Sequence, residues 1–201
     1  KKMNIIWHGH SCFEITGKDG TIVFDPYQAN SVPGLNSLKL KANLVLCSHE
    51  HDDHNARNCV EVAPKDFKVT CIETYHDHHQ GSHRGKNTIH IVDFENLKVV
   101  HMGDIGCMMD DVSKLKNCDV LMIPIGGYYT IDTKEALKYI ERIQPRIVIP
   151  MHYHSHEFGY DVLSTNEEFI QQSSSVTYVD DCLEVNKDTK TQTVVFKKPR
   201  N

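Results

Sequence analysis

Residues 48–55, SHEHDDHN, place three histidines and two aspartates within the six positions from 49 to 54. They follow the apolar run NLVLC, which is typical of a strand. In an extended backbone, residues i and i+2 point to the same side, so His49 and His51 can approach one metal ion together. A turn after them would let Asp53 and His54 face a second ion beside the first. The spacing therefore favours a metal site over an exposed polar loop.

Histidine is also the unusual feature of the composition. The chain has 14 histidines among 201 residues, more than average usage predicts, and most fall in four groups: HGH at 8–10, HEHDDH at 49–54, HDHHQGSH at 76–83 and MHYHSH at 151–156. A helical zinc-protease motif is excluded, because Asp53 occupies the fifth position of the His-Glu-x-x-His pattern that begins at His49. The seven cysteines are dispersed without a CxxC pair, as reduced core residues are. Imidazole and carboxylate ligands without thiolate suit Zn²⁺, Mn²⁺ or Fe²⁺.

Size and charge narrow the class of protein. A chain of 201 residues with 24% charged and 39% hydrophobic residues predicts one globular domain, 1–201. No apolar run approaches the roughly 18 residues of a membrane helix, and no signal-peptide pattern is present, so we expect no membrane association and a cytoplasmic location. The net charge of −5 and the absence of a basic arm argue against nucleic acid as a partner.

The first half of the chain is rich in short strand patterns. These are NIIW, CFEI, TIVF, NLVLC, FKVTCIET, NTIHIVDF and LKVVHM. Turn residues at Asp19-Gly20 and at Glu95-Asn96 predict two antiparallel hairpins.

The second half adds helices. The segment DTKEALKYIERIQP has apolar residues at helical spacing, with Asp132 or Thr133 as the N-cap. The apolar runs CDVLMIPIGG and IVIPMHY on either side predict strands buried on both faces. A short helix is expected in STNEEFIQQ, capped by Ser164 or Thr165, and a closing hairpin in CLEVNKDTKTQTVVF. The chain is thus predicted to be a β-rich α/β protein whose helices cover its sheets.

These motifs resemble those of the metallo-β-lactamase-fold hydrolase superfamily, whose hallmark is H-x-H-x-D-H. The segments FDP (Asp25), HMGD (Asp104) and IPMH (His152) follow in the order found in that family. The chain is most similar to a small bacterial and archaeal branch of zinc-dependent hydrolases related to ascorbate-phosphate lactonase, through GHSCFEI, FDPY, YHD, RGKNT, HMGDIG, IPIGGYYTID and IPMHY. The resemblance implies a four-layer αββα sandwich with the site at one edge, between the sheets.

The resemblance also implies a ligand set for two divalent metal ions, with zinc as the default and manganese or iron as alternatives. The first ion would be bound by His49, His51 and a histidine of the 76–79 group, the second by Asp53, His54 and His152, with Asp104 bridging them. Among His76, His78 and His79 we favour His76, because the strand pattern VTCIETY runs directly into it.

Further residues have weaker sequence signals. The resemblance implies that Asp25 anchors the 49–54 loop. An aspartate that only stabilises a turn is an equally good interpretation. His10 either faces the metals or simply ends a strand. A leaving group could be protonated by His10, His79 or a tyrosine of GGYYT. Arg84 and Lys86 either meet a phosphate or only solvate a loop.

The predicted activity is metal-dependent hydrolysis of a small ester, lactone or phosphodiester by a hydroxide held between the two ions. Asp53 would also orient that hydroxide or accept its proton. The alternatives are a non-catalytic metal-binding or sensing protein and an RNA-processing nuclease of the same superfamily. The natural substrate, the metal used in the cell and the oligomeric state stay open.

Overall fold

The computed structural model describes residues 1–201 and contains fourteen strands, two α-helices and one 3-10 turn at Arg57–Cys59. In chain order the strands are β1 (Lys2–Gly9), β2 (Cys12–Gly17), β3 (Gly20–Phe24), β4 (Leu40–Ala42), β5 (Leu44–Leu46), β6 (Val60–Val62), β7 (Lys68–Tyr75), β8 (Lys86–Phe94), β9 (Leu97–His101), β10 (Val120–Pro124), β11 (Ile147–Met151), β12 (Val176–Val179), β13 (Cys182–Asn186) and β14 (Gln192–Phe196). The helices are α1 (Thr133–Ile143) and α2 (Glu167–Gln172).

The strands form two large sheets that pack face to face. One has the order β13-β1-β2-β3-β5, the other the order β12-β14-β11-β10-β9-β8-β7, and β4 pairs separately with β6. Phe24 of the first sheet stacks on His101 of the second, with ring centroids 4.9 Å apart, and Trp7 lies 6.2 Å from Phe196. One cluster of 47 buried residues spans both sheets. The predicted α/β sandwich is therefore confirmed.

Both predicted hairpins are present. β2 pairs antiparallel with β3 across a turn in which Gly20 has φ +127°. β8 pairs with β9 through Glu95 (φ 51°) and Asn96 (φ 60°). Two successive left-handed residues match the right-handed twist of the flanking strands, which is why short hairpins favour such turns.

The two helices lie in the connections of the seven-stranded sheet. α1 joins the parallel strands β10 and β11, and Asp132 caps it in a reciprocal arrangement with Glu135. α2 begins one or two residues later than expected: the N-cap position is Asn166, not Ser164 or Thr165, and its side chain makes no capping hydrogen bond. Neither helix is long and apolar enough to cross a membrane.

The predicted closing hairpin is wrong. β13 pairs antiparallel with β1 in the five-stranded sheet, whereas β14 inserts parallel between β11 and β12 of the other sheet. The guanidinium of Arg146 donates to the carbonyls of Asn186 and Thr189, which ties the intervening turn to the start of β11. Because the run TVVF of β14 is buried, it is a central strand rather than the arm of an exposed hairpin.

Strand direction determines where the candidate site lies. β1, β3 and β5 run the same way in the first sheet, and β7, β9, β10 and β11 run the same way in the second. His10, Asp25, His76, Asp104 and His152 all come within three residues of the carboxyl end of one of these strands. The two sheets thereby deliver residues far apart in sequence to one edge of the sandwich.

Candidate metal centre

One carboxylate oxygen at this edge faces four imidazoles. Oδ2 of Asp104 lies 3.0 Å from Nε2 of His54, 3.1 Å from Nε2 of His76, 3.1 Å from Nε2 of His152 and 3.5 Å from Nε2 of His49. All five side chains are buried. The histidines come from three separate stretches of the chain, so Asp104 is the point at which these stretches meet.

His49, His51 and His76 form the first group of closely spaced ligand atoms, which all lie within 4.8 Å of one another. The ring of His49 is 4.6 Å from the rings of His51 and His76, measured between centroids. His51 is the exposed member and lines the cavity described below. Three imidazoles at this spacing match the protein ligands of a histidine-rich zinc site.

The structure places only one histidine of the 76–79 stretch in this group. His76 directly follows β7 and is buried, whereas His78 lies at the surface, where its Nε2 is 3.2 Å from Glu135. His79 is exposed, and its ring packs against that of His83 at 3.9 Å. His79 therefore lies apart from the group and is not in a position to protonate a leaving group there.

The second group contains Asp53, His54, His152 and also His10. Nε2 of His10 lies 2.8 Å from Oδ2 of Asp53, and its ring is 4.1 Å from the ring of His152. His10 has φ 54°, and the indole N–H of Trp7 donates to its carbonyl at 3.1 Å. Left-handed residues of this kind are uncommon outside turns and functional sites. The interpretation of His10 as a mere strand-end residue does not hold, because its buried side chain contacts Asp53.

Asp25 and Ser48 orient the imidazoles of the 49–54 loop. Asp25 accepts hydrogen bonds from the backbone N–H (2.7 Å) and the hydroxyl (2.6 Å) of Ser48 and from Nδ1 of His54 (2.8 Å). The Ser48 hydroxyl donates to Asp25, so it must accept from Nδ1 of His49, which lies 2.8 Å away. Both histidines thus carry a proton on Nδ1, and their Nε2 atoms, which face Asp104, are the ones that can bind a metal ion. Nothing in the sequence pattern singled out Ser48.

Replacing Asp25 by asparagine should weaken zinc binding by about 10-fold to 100-fold, the usual effect of losing a carboxylate that orients ligating histidines. The measurement is competitive titration with a chromophoric chelator. Asp93→Asn is the matched control, because this exposed carboxylate contacts only Lys68, at 3.2 Å. Equal zinc affinity in the two variants would contradict the orienting role.

Several buried polar atoms in the cluster have no hydrogen-bond partner, which is rare in folded proteins. They are Nδ1 of His10, Nε2 of His49, Nε2 of His54, Nδ1 of His76, Oδ1 of Asp104, and both ring nitrogens of His152. The Nε2 atoms of His49, His54 and His152 lie within 3.5 Å of Asp104 but are not oriented for a hydrogen bond to it. Burying such groups unpaired is costly, and divalent cations beside Asp104 would satisfy the Nε2 atoms of His49, His54 and His152, which face that carboxylate. The donor set therefore fits metal ions.

The electrostatics of the cluster keep its carboxylates ionised. Burial alone would raise the pKa of Asp104, but His152, His54 and His49 hold that pKa well below its usual range. Burial would lower the pKa of His152, yet Asp104 and Asp53 raise it to about 9. A divalent cation bound here would take over the charge balance from these protons, so metal binding would release protons.

The turn that carries Asp104 fits tightly between the ligand groups. The Asp104 N–H donates to Oδ1 of Asn87 at 2.8 Å, and Asn87 in turn donates to the carbonyl of Met102 at 3.0 Å. A Cβ at Gly103, which has φ +60°, would come 2.4 Å from Cβ of Ser48. A Cβ at Gly106 would come 2.3 Å from the carbonyl carbon of His76. The segment HMGDIG therefore needs its glycines for close approach of the backbone.

A cavity of about 230 Å³ opens onto the cluster. It is lined by His51, Asp53, His76, Arg84, Asp104, Tyr129, His152 and Tyr160. No sequence pattern pointed to Tyr160, whose hydroxyl donates to the carbonyl of Ser31 and whose ring lies 5.6 Å from that of His10. A cavity of this size and polarity accepts a small polar molecule.

Known proteins resemble this chain over most of its length. A family model described as "Beta-lactamase superfamily domain" matches residues 4–152. A UPF0173 metal-dependent hydrolase of Staphylothermus marinus is 30% identical, with 73% of this chain and 82% of the relative covered. A second one, from Thermoplasma acidophilum, is 28% identical, with 84% and 89% covered.

A solved structure from Thermotoga maritima, a member of the metallo-β-lactamase superfamily, superposes with a TM-score of 0.76 and 28% identity, covering 96% of this chain and 98% of that chain. The match extends over nearly the whole of both chains. The chain therefore belongs to the metallo-β-lactamase superfamily of hydrolases, beside its UPF0173 metal-dependent hydrolases.

Proposed function

We propose that this protein is a hydrolase that binds two divalent metal ions on either side of Asp104 and cleaves a small ester, lactone or phosphodiester. The observation that carries the proposal is the position of Oδ2 of Asp104, within 3.5 Å of ligand nitrogens from both groups. A carboxylate that lies between two groups of ligands can bind both ions of a closely spaced pair.

The two groups divide the ligands as follows. His49, His51 and His76 would hold the first ion, and Asp53, His54 and His152 the second, with Asp104 shared. Zinc is the default, with manganese or iron as alternatives, since imidazole and carboxylate ligands suit all three. Metal dependence is also part of the names of the relatives from Staphylothermus marinus and Thermoplasma acidophilum. Divalent ions in such a site generate a nucleophile from water at neutral pH and polarise the carbonyl or phosphoryl oxygen under attack.

Asp53 is placed to orient the attacking water. Its carboxylate lies at the cavity wall and remains partly accessible to solvent. Burial would raise its pKa, but the charge of His54, the hydrogen bond with His10 and the nearby His152 keep the pKa far below its usual range, so the carboxylate is ionised. His10 binds Oδ2 of Asp53 and so fixes the carboxylate, which can orient the water by accepting a hydrogen bond from it.

The cavity wall offers one tyrosine hydroxyl for the leaving group. The Tyr160 hydroxyl proton is already donated to the Ser31 carbonyl. Tyr129 lines the same cavity, and its hydroxyl makes no hydrogen bond with the protein. We therefore favour Tyr129 over Tyr160 as the group that meets the departing oxygen.

A hydrolysis panel tests the proposal. Metal-free protein should show no activity on 4-nitrophenyl esters, a small lactone and bis(4-nitrophenyl) phosphate, and added Zn²⁺ or Mn²⁺ should restore hydrolysis of at least one of them. The rate is followed by nitrophenolate absorbance, or by pH-stat for the lactone. Protein that has bound two ions per chain and still hydrolyses no compound of the panel would instead point to a non-catalytic metal-binding role.

A further inference from the structure

Arg84 differs from the other four arginines of the chain, because its guanidinium has no hydrogen-bond acceptor and no carboxylate partner in the protein. The other four use theirs internally: Arg57 on Glu50, Arg142 on the carbonyls of Met109 and Asp110, Arg146 on Asp119, and Arg200 on Asp181. The arginine side chain carries five N–H donors, which normally have acceptors when the side chain is partly buried. The side chain of Arg84 is partly buried.

The contacts that Arg84 does make leave its donors available. Its guanidinium carbon lies 5.5 Å from the ring centroid of Tyr129 and 5.9 Å from that of Tyr128, close enough for cation–π attraction. Stacking occupies the faces of the planar group and leaves its N–H edge free for an anion. Arg84 and Tyr129 line the same cavity as Asp104. Arg84 is the only arginine or lysine in that lining.

Hydrogen bonds within the protein hold the backbone of the loop that carries Arg84 in place without a ligand. The buried carboxylate of Asp77 accepts four backbone N–H groups of the loop 77–84, including those of His79 (2.7 Å) and Arg84 (2.7 Å). The end of the loop is tied to the first ligand group, since the His76 N–H donates to the carbonyl of Gly85 at 3.0 Å. The facing residue Tyr128 has φ 58°, an uncommon conformation that the surrounding structure must hold in place. Both sides of the Arg84 contact are thus ordered before any ligand binds.

We propose that Arg84, held against Tyr128 and Tyr129, binds an anionic group of the substrate. The inference rests on the proposed function and narrows it: the substrate is a small ester, lactone or phosphodiester that carries a carboxylate or phosphate beside the bond to be cleaved. A guanidinium without a protein partner, next to the ligand groups, matches either anion through two parallel hydrogen bonds. Lys86, two residues on, does not share this role, because it pairs with Glu73 at 3.1 Å on the surface.

A matched pair of esters tests the subsite kinetically. Mono(4-nitrophenyl) succinate carries a free carboxylate, whereas 4-nitrophenyl butyrate is neutral and of similar size. In zinc-loaded protein, Arg84→Gln should raise KM for the anionic ester by about 10-fold or more and should lower kcat/KM for the anionic ester about 10-fold more than kcat/KM for the neutral ester. Arg84→Lys should recover part of the loss, and Lys86→Gln should behave as the unaltered protein. An equal effect of Arg84→Gln on both esters would overturn the inference.

A binding measurement separates this inference from the proposed function. The Arg84 Nε–H resonance of ¹⁵N-labelled, zinc-loaded protein, assigned by its loss in Arg84→Lys, is followed during titration with methyl phosphate and, separately, with acetate. A saturable shift in either arm supports the subsite and shows which anion it prefers. No shift in either arm overturns the subsite, even if esters are hydrolysed. A shift in protein that hydrolyses no compound of the panel supports the subsite while counting against the proposed hydrolysis.

Discussion

Replacing Asp104 by asparagine is expected to lower kcat/KM by about 10³-fold or more and to reduce the bound zinc from two ions per chain to one or fewer. Asparagine has nearly the same shape as aspartate, and the backbone N–H of residue 104 can still donate to Oδ1 of Asn87. It removes the negative charge that faces His49 and His152, and an amide is a poor ligand for two cations at once. The measurements are metal content by plasma mass spectrometry and initial rates on the best ester of the panel.

Asp52→Asn is the matched control for this variant. Asp52 lies in the same histidine-rich loop, directly before Asp53, but its side chain is exposed and contacts no other residue through a hydrogen bond or ion pair. The control variant should keep both ions and its full rate. If Asp104→Asn also retained two ions and normal activity, the carboxylate could not be the shared ligand.

Removing both metal ions is expected to lower the melting temperature by about 20 °C. A ligand at 1,000 times its Kd stabilises the folded state by about 4 kcal/mol per site. For a chain of 201 residues, each kcal/mol corresponds to about 2–4 °C. The effect is large here because the unpartnered atoms of His49, His54, Asp104 and His152 are buried and cannot be satisfied by bulk water. Calorimetric scans of zinc-loaded and chelator-dialysed protein provide the measurement.

The Asp104→Asn variant controls for nonspecific effects of the chelator. Its melting temperature should respond to zinc and to chelation much less than that of the unaltered protein. Identical melting temperatures for loaded and metal-free protein, with binding of zinc verified by mass spectrometry, would show that the ions do not bind at the buried cluster.

Local patterns were sufficient to predict most elements of the fold. The turn at Glu95-Asn96 and the capping box of Asp132 depend on residues only a few positions apart, and both appear as expected. The prediction of a closing hairpin failed because strand pairing is decided by tertiary contacts. β13 and β14 are neighbours in sequence, yet β13 pairs with β1 in one sheet and β14 with β11 and β12 in the other. The small parallel pair β4 and β6 is likewise held by long-range contacts that no short pattern reveals.

In the candidate site, too, local sequence patterns predicted some residues, whereas others are recognised only from contacts formed by folding. The dense motif at 49–54 has a spacing that is chemically specific, and the structure brings its four motif residues beside Asp104 and His152. His10, Ser48, Asn87 and Tyr160 make contacts at the site that depend on partners brought close only by folding, and of these four the sequence indicated only His10 as a candidate. His10, for example, meets Asp53 across 43 positions of the chain. The sequence around a buried histidine or serine does not indicate which distant residue will contact it.

Anomalous X-ray diffraction at the zinc edge, from crystals grown with Zn²⁺, tests the central claim most directly. We predict two peaks that share Asp104, one among His49, His51 and His76 and the other among Asp53, His54 and His152. A single peak, or peaks away from Asp104, would contradict a two-metal hydrolase at this site.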